Sequence, residues 1–400
     1  MNLAAASILN QNPFFETASK QRKNTWMIEK GQDANNGNRI YFLDNLRTFM
    51  IFLVVLYHAG GVYESSGIWA SFWLVDDPST NNLAGIVNLI IDIFVMPTLF
   101  FISGFFTPCS LKTRKGWAFL KYRFKRLIIP WVIAVLTLIP FYKVIFLYSR
   151  NLPQESWITY FHWSNGIWSQ NWLWFLPVLF LFDILYLLFS KANVKISSIT
   201  LKKAVFAIFL IGFIYSFCMN FFEFQGFTKT IFIDFQNERL LIYLMIFLLG
   251  SLCCKLKIFE PDVTGKKIYI VINCIAWIPL NLYILVLINF FIRPGSFIFT
   301  EVIDRILLWL GFHLSLLCLL YLMVTTFRYY LNRQGKILKA LNDNSYNVYI
   351  IHVIVIGCIA LIMLYTTIPS LIKYPILAVS SWVISNLLAY GYRNLIKSKI

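Results

Sequence analysis

Long runs of apolar residues, separated by short polar segments, recur along almost the whole chain after residue 40. Windows of about 19 residues on a hydropathy scale predict about ten membrane-spanning helices. The predicted spans are 42–63, 84–106, 127–148, 171–190, 203–221, 239–254, 268–290, 305–326, 346–365 and 371–391. In a bilayer every backbone polar group needs an internal partner, which helices provide. The pattern therefore predicts an all-α, polytopic membrane bundle.

Positive charge is concentrated in alternate connecting segments. We number the segments outside the spans from the N-terminus, so that the first is the N-terminal tail and the third is 112–126. Of the 35 Lys and Arg residues, 27 fall in odd-numbered segments and 6 fall in or at the edges of the even-numbered ones. Lys and Arg accumulate on the cytoplasmic side of membrane proteins, so both termini are predicted to lie inside. The net charge of +17 then reflects topology and attraction to anionic lipid. Nucleic acid is not expected as a partner.

Little of the chain lies outside the predicted spans. We expect a flexible cytoplasmic tail over 1–39, one transmembrane domain over 40–391, and a short basic cytoplasmic tail over 392–400. The composition agrees, because only 13% of the residues are charged, against about 25% in soluble proteins. The seven cysteines lie in or beside apolar runs. They lack the spacing of a disulfide framework or a zinc site, so neither is predicted.

The first predicted span carries the ionisable residues Asp44, Arg47 and His58. On a helix, Arg47 and His58 share a face and lie about 16 Å apart along the axis, with Asp44 one turn before Arg47. An ionisable side chain inside a bilayer costs at least ~2.5–3.5 kcal/mol, so such residues are functional candidates by default. The alternative is an ion pair that reaches water at the membrane edge, together with a hydrogen-bonded histidine in the core.

A second feature is the segment "RKGWAFLKYRFKRLIIPW", in which Arg123 and Arg126 are one helical turn apart. Two arginines on one face suit the bidentate binding of phosphates. The alternative is that this loop is basic only because it faces the cytoplasm.

The third feature is "LNDNSYNVYIIHVIVI". Ser345, Tyr349 and His352 share a helical face, and Asn344 or Ser345 is a plausible N-cap. The alternative for His352 is a hydrogen-bonded core histidine, which is also the interpretation of His313.

Other polar positions are harder to interpret. Asp92 and Asp183 are carboxylates inside predicted spans without an evident role, and His162 lies in an outer loop. No phosphate-binding glycine loop, zincin helix or nucleophile-elbow serine occurs in the sequence. No matched pair of broken helices indicates a transporter.

Five motifs, in order, resemble those of the bacterial membrane acyltransferase 3 family, and they cover about 40–391. They are "YFLDNLRTFMIFLVVLYHA", with Arg47 and His58; "MPTLFFISGFFT"; Arg123-x-x-Arg126 leading into "RLIIPW"; "WLWFLPVLFLF"; and "NSYNVYIIH". Within the family, the chain is most similar to members that succinylate periplasmic glucans. One position departs from the pattern: many members carry His or another polar residue before the Met-Pro, where this chain has Val95.

The resemblance implies acyl transfer in the bacterial inner membrane. The donor substrate would be cytoplasmic acyl-CoA, with no tightly bound cofactor and no metal, and the acceptor a hydroxyl of an extracytoplasmic glycan or glucan. Acetyl and succinyl groups are both open. His58 would act as general base or as the group that is itself acylated.

The resemblance also implies roles for the other motif residues. Arg47, oriented by Asp44, would hold an anionic part of the donor or polarise the thioester, and Arg123 and Arg126 would bind CoA phosphates. Substrate-contacting or supporting roles are expected for Ser103, Trp174, Ser345, Tyr349 and His352. Two non-enzymatic interpretations remain beside this one: a membrane carrier or lipid-handling protein, and a structural membrane subunit.

Overall fold

The computed structural model describes residues 40–65, 73–161, 170–191, 200–260, 266–293 and 295–397. Within this part of the chain, the compact unit that contains every site discussed below begins at Phe42. The predicted N-terminal tail over 1–39 and His162 lie outside the described residues.

The described residues form eleven α-helices. They are α1 Tyr41–Tyr63, α2 Asn82–Thr113, α3 Trp117–Ser149, α4 Phe175–Lys191, α5 Leu201–Phe221, α6 Leu240–Lys255, α7 Lys267–Ile275, α8 Trp277–Ile292, α9 Glu301–Tyr330, α10 Lys336–Leu364 and α11 Ser370–Lys397. α7 and α8 follow one another and together form one segment, Lys267–Phe290. The eleven helices therefore provide ten segments long and apolar enough to cross a membrane. The predicted all-α polytopic bundle of about ten spans is confirmed.

Three helices extend well beyond their predicted apolar limits. α2 continues to Thr113, and α3 begins at Trp117, so the basic segment with Arg123 and Arg126 is helical. α10 begins at Lys336, which places Asn344 and Ser345 inside the helix. The predicted N-cap at these two residues is therefore wrong. Hydropathy marks only the lipid-embedded part of a helix, and a helix continues past it where polar residues meet water or one another.

The helices differ in how deeply they lie within the bundle. In α1, 67% of the most apolar window is buried by other parts of the protein, against 17% in α5. The central helix is therefore the one that carries Arg47 and His58. α2 packs against this helix where Asn88 meets Gly60, and α2 and α6 pack against each other.

The contact between α2 and α6 depends on two glycines. A Cβ at Gly104 would collide with the Phe247 carbonyl, and a Cβ at Gly250 would collide with the Phe101 carbonyl. Small residues at such crossings let helix backbones touch inside a membrane, where van der Waals packing drives association. Gly104, the glycine of the "MPTLFFISGFFT" motif, is thus a packing residue. This contact fixes α2, whose other end lines the site described next.

Two short extra-helical elements lie between spans at the same end of the bundle. Strands β1 Phe227–Thr228 and β2 Phe235–Gln236 pair antiparallel, with Phe227 opposite Gln236 and Thr228 opposite Phe235. A 3₁₀ turn, Asn171–Trp174, leads into α4. Both contribute side chains to a large cavity.

Candidate active site

A cavity of about 580 Å³ opens at the end of the bundle where α1 terminates. We call this the cavity end. Aromatic rings from several parts of the chain line the cavity, among them Trp73, Tyr142, Trp172, Trp174 and Tyr243. Polar side chains are fewer and come mainly from α1, α2 and the β-hairpin. The volume and the mixture of apolar walls with a few polar groups are those of a small-molecule site.

His58 of α1 lines this cavity and is paired with a second histidine. Its Nδ1 lies 3.0 Å from Nε2 of His352 on α10 and 2.9 Å from the Val54 carbonyl oxygen. The Nδ1 of His352 lies 2.7 Å from the Tyr349 carbonyl oxygen. α10 thus brings the histidine of the "NSYNVYIIH" motif directly behind His58.

These contacts assign the protons on both rings. A carbonyl oxygen only accepts hydrogen bonds, so His352 donates from Nδ1 to Tyr349. In a neutral imidazole its Nε2 is then an acceptor. His58 therefore donates from Nδ1, shared between Val54 and His352, and its own Nε2 carries a lone pair without a proton. The assignment rests on the hydrogen-bond network. It leaves a basic nitrogen on the side of the His58 ring that faces away from His352.

Trp73 fixes the other face of His58. The two rings are stacked, with centroids 5.2 Å apart and planes inclined by 13°, and the indole Nε1 donates to the His58 carbonyl at 3.1 Å. Trp73 belongs to the segment 73–81 between α1 and α2. A buried ion pair of 2.9 Å between Asp77 and Lys373 ties this segment to the start of α11.

The α2 wall of the cavity carries two polar residues one turn apart, Asn88 and Asp92. Asn88 is 3% exposed, and neither of its amide atoms has a hydrogen-bond partner within the described ranges. Asp92 pairs with Arg239 at 2.7 Å, while its side chain stays 34% exposed. The guanidinium of Arg239 is buried, lies over the Phe312 ring at 4.7 Å and also donates to the Asp92 carbonyl at 3.2 Å.

At the opposite end of the bundle, the predicted ion pair of α1 is present. Arg47 lies 3.1 Å from Asp44. Beside it, Asn342 of α10 accepts from the Thr48 hydroxyl at 2.6 Å and donates to Asn45 at 2.8 Å. Ser345 donates to the Asn342 carbonyl at 2.9 Å. These side chains tie the start of α1 to α10.

The two arginines of the basic motif lie at this same end, which we call the basic end, but in different surroundings. Arg123 pairs with Asp183 of α4 at 3.1 Å, and the two side chains are only 11% and 0% exposed. Arg123 also donates to the Thr107 hydroxyl at 2.8 Å, which in turn contacts Asp183 at 3.2 Å. Arg126 is exposed and donates to the Tyr122 hydroxyl at 2.8 Å.

The structure therefore divides the sequence-predicted residues into two groups. His58, His352, Tyr349 and Trp174 lie at the cavity end, where Trp174 lines the cavity and the Tyr349 hydroxyl donates to the Trp172 carbonyl. Asp44, Arg47, Ser103, Arg123, Arg126 and Ser345 lie toward the basic end and are not among the described residues that line the cavity. Ser103 contributes a carbonyl that accepts from Thr107 at 2.9 Å.

The structure also shows where His313 and Val95 lie and whether the described residues could hold a metal ion. His313 is buried outside the cavity, with Nδ1 2.8 Å from the Trp309 carbonyl. Val95, where the motif departs from the family pattern, lines the cavity as an apolar residue. Within the described residues, no group of three or more His, Cys, Asp or Glu side chains has an arrangement that could hold a metal ion.

Sequence reasoning missed Trp73, Asn88 and Arg239. Asn88 is a single amide in an apolar run and Trp73 a single aromatic residue in a polar loop. Neither is part of a repeated spacing that would indicate a site. Arg239 is the first residue of a short predicted span, where its charge is explained by position at the membrane edge alone. The one available clue was Asp92, because a carboxylate inside a span implies a cationic partner.

The fold and the site define a multi-pass membrane protein with a histidine-containing cavity at one end and an arginine pair at the other. The chain matches the acyltransferase 3 family model, described as an acyltransferase domain, over residues 40–390. It belongs to the acyltransferase 3 family and is an acyltransferase of the membrane. The family assignment made from the five motifs is thereby confirmed. Comparisons with curated proteins and with solved structures give no match.

Proposed function

We propose that the protein transfers an acyl group from acyl-CoA, bound at the basic end, to a hydroxyl of an extracytoplasmic carbohydrate bound in the cavity. The observation that carries this proposal is the His58–His352 pair, which leaves Nε2 of His58 unprotonated beside an aromatic cavity of about 580 Å³. Membership of an acyltransferase family favours an enzyme over the carrier and structural interpretations.

His58 acts on the acceptor hydroxyl in this proposal. Nε2 takes the hydroxyl proton while the oxygen attacks the thioester carbon. The resulting tetrahedral intermediate collapses with cleavage of the C–S bond, and the CoA thiolate leaves with the proton from His58. General base catalysis of this kind is typically worth about 10²–10⁴-fold. Direct attack by Nε2, giving an acyl-histidine that the hydroxyl then cleaves, uses the same nitrogen.

His352 supports this step by holding the proton of His58 on Nδ1. If His352 were absent, Nδ1 of His58 would keep only the Val54 carbonyl as an acceptor, and the ring would lose one of the two contacts that hold it. The stacked Trp73 restricts the ring from the other side. Both residues are therefore positioning residues in the proposal.

The arginines of the basic end would receive the CoA moiety. Arg126 is the exposed member of the pair, and an exposed guanidinium suits bidentate contacts with phosphates, which would replace its bond to the Tyr122 hydroxyl. Arg123 is held by Asp183, whose carboxylate offsets its charge, so its role is to fix the start of α3 against α4. Arg47 lies about 16 Å from His58 along α1, which favours a contact with the donor's anionic part over direct polarisation of the thioester.

Aromatic walls beside polar groups suit a carbohydrate acceptor, because sugar rings present both apolar C–H faces and hydroxyls. The segments with an excess of Lys and Arg meet at the basic end. By the positive-inside tendency this end faces the cytoplasm and the cavity faces the periplasm. A bacterial inner membrane location, acetyl or succinyl as the acyl group, and a glucan acceptor belong to this same proposal.

Purified protein in lipid nanodiscs, incubated with labelled acetyl-CoA or succinyl-CoA and periplasmic glycans, tests the proposal. We expect labelled acyl esters on the glycan, identified by mass spectrometry, and a fall of about 10²–10⁴-fold in rate for His58→Gln. The matched control is His313→Gln, a buried histidine outside the cavity, which should retain the wild-type rate if the variant folds. Wild-type transfer by His58→Gln would exclude the mechanism.

A further inference from the structure

We propose that Cys109 and Cys254 form an oxidation site, a pair of thiols that a low-molecular-weight disulfide converts into a disulfide bond between α2 and α6. The pair lies at the basic end, since Cys109 is two residues after Thr107, which binds Arg123. Acyl transfer uses neither thiol, so the site is independent of the proposed function. It would give the protein a redox-sensitive link between two helices that both carry parts of the cavity wall.

The first observation is the direct contact between the two thiols. Sγ of Cys109 lies 3.5 Å from Sγ of Cys254, and both residues are free cysteines. Sulfur atoms in contact reach bonding distance by small rotations of the two side chains. The two residues are 145 positions apart in the chain, so only the packing of the helices brings them together. The spacing of cysteines in the sequence therefore does not predict this pair.

The second observation is that α2 and α6 run parallel and keep the same register along their contact. At the cavity end, Asp92 of α2 pairs with Arg239, which directly precedes α6, and these two residues are 147 positions apart. In the middle, Gly104 and Gly250 bring the two backbones together. At the basic end the two cysteines are 145 positions apart. Because the separation hardly changes between the two ends, the register of the helices itself places the thiols opposite each other.

The third observation is that the pair is accessible. Cys109 is exposed and Cys254 is half-buried. Polar residues follow both cysteines, since α2 ends with Lys112 and Thr113 and α6 ends with Lys255. The 32 residues of α2 span about 48 Å at 1.5 Å per residue, against about 30 Å for the hydrocarbon core of a bilayer. The last turns of α2 therefore extend beyond the hydrocarbon, where a water-soluble reagent reaches the exposed thiol.

The bond forms by thiol–disulfide exchange, for which oxidised glutathione is a suitable reagent. The thiolate of Cys109 attacks one sulfur of the reagent, and one glutathione thiolate leaves. The thiolate of Cys254 then attacks the Cys109 sulfur of this mixed disulfide and releases the second glutathione thiolate. The two cysteines lose two protons and two electrons, and the reagent is reduced to two thiols. In reducing surroundings the pair stays as thiols, and it closes when the thiol–disulfide balance becomes oxidising.

Oxidation of the full-length protein in nanodiscs tests the inference without acyl-CoA. The protein, with its seven cysteines, is treated with oxidised glutathione, the remaining thiols are blocked with N-ethylmaleimide, and peptides are analysed by mass spectrometry with and without dithiothreitol. We expect a linked peptide pair that contains Cys109 and Cys254 and disappears on reduction. The oxidised protein should unfold several degrees above the reduced protein, because a link across 145 residues restricts the unfolded chain.

Serine variants show whether the effect belongs to this pair. Cys109→Ser should abolish both the linked peptide and the rise in unfolding temperature. Cys358→Ser is the matched control, because Cys358 is also exposed but lies on α10, and it should form the link as the wild type does.

Three results would overturn the inference. Both thiols of the pair stay open to N-ethylmaleimide after oxidation, or Cys109 carries only a mixed disulfide with glutathione, or Cys109 links to Cys253 instead of Cys254. Each of these is read from the wild-type protein, so it does not depend on the folding of a variant. Failure of the proposed function looks different, because the linked peptide forms as expected but no acyl group is transferred.

Discussion

The cavity end and the basic end of the bundle both concentrate buried polar side chains, but they use them differently. At the basic end, Arg123, Asp183 and Thr107 contact one another, and Asn342 links α10 to α1. At the cavity end the ion pairs Asp77–Lys373 and Asp92–Arg239 are also formed, but the histidine pair does not use the unprotonated Nε2 of His58.

This difference indicates which groups are available for chemistry. Side chains that satisfy one another stabilise a single arrangement of helices, whereas a basic nitrogen of a cavity-lining residue that no protein group uses is a candidate for chemistry on a ligand. The residue types alone, read from the sequence, do not distinguish the two ends. The contacts do, and they separate Arg123 from its neighbour in the motif, Arg126.

The largest effect that we predict concerns the Arg123–Asp183 pair. Asp183→Asn or Arg123→Gln leaves a buried charge without its partner, which costs about 3–5 kcal/mol. Each single variant should therefore show a clearly lower unfolding temperature in detergent or nanodiscs, measured by thermal denaturation. The double variant Arg123→Met/Asp183→Leu should recover most of this loss, because no charge remains unpaired.

If Arg123 served only as a phosphate ligand, Asp183→Asn would leave stability unchanged. That result would remove the distinction between paired groups at the basic end and available groups at the cavity end.

A smaller effect is expected from His352. His352→Leu removes one of the two acceptors for Nδ1 of His58. The His58 ring is then less well oriented, and misplacement of a catalytic group costs about 10²-fold. The maximal transfer rate should fall by this order while the KM for the glycan acceptor stays unchanged. His352→Gln retains a hydrogen-bonding amide and should lose less. Equal rates for His352→Leu and the wild type would show that His58 does not depend on its partner.

The smallest predicted effect concerns Arg126. Arg126→Gln should raise the KM for acyl-CoA about three- to tenfold with little change in the maximal rate, since one exposed charge-assisted contact is worth about 1 kcal/mol. The neighbouring exposed Lys125→Gln is the control and should change KM less. A fall in maximal rate with unchanged KM would place Arg126 outside the donor site.

The sequence predicted the helical bundle and its ten spans because the apolar length of a span is set by the lipid environment, which each span meets separately. The orientation inferred from charge asymmetry stays a prediction. It also singled out His58, which the structure places on the cavity wall, because an ionisable side chain deep in an apolar run is costly; its catalytic role stays a prediction. The partners of these residues could not be predicted. Asp183 and Arg123, or His58 and His352, meet only when distant helices pack. Asn88 escaped notice because a neutral amide in an apolar helix changes hydropathy little.

The measurement that tests the central claim most directly is sidedness of transfer. In vesicles in which every molecule has the same orientation, reported by a tag on the N-terminus, acyl-CoA and a membrane-impermeant glycan are supplied on opposite sides. We predict acyl esters on the glycan only when acyl-CoA meets the Arg126 face and the glycan meets the cavity face. Equal transfer with both substrates confined to the cavity face would contradict the division of the molecule into a donor end and an acceptor end.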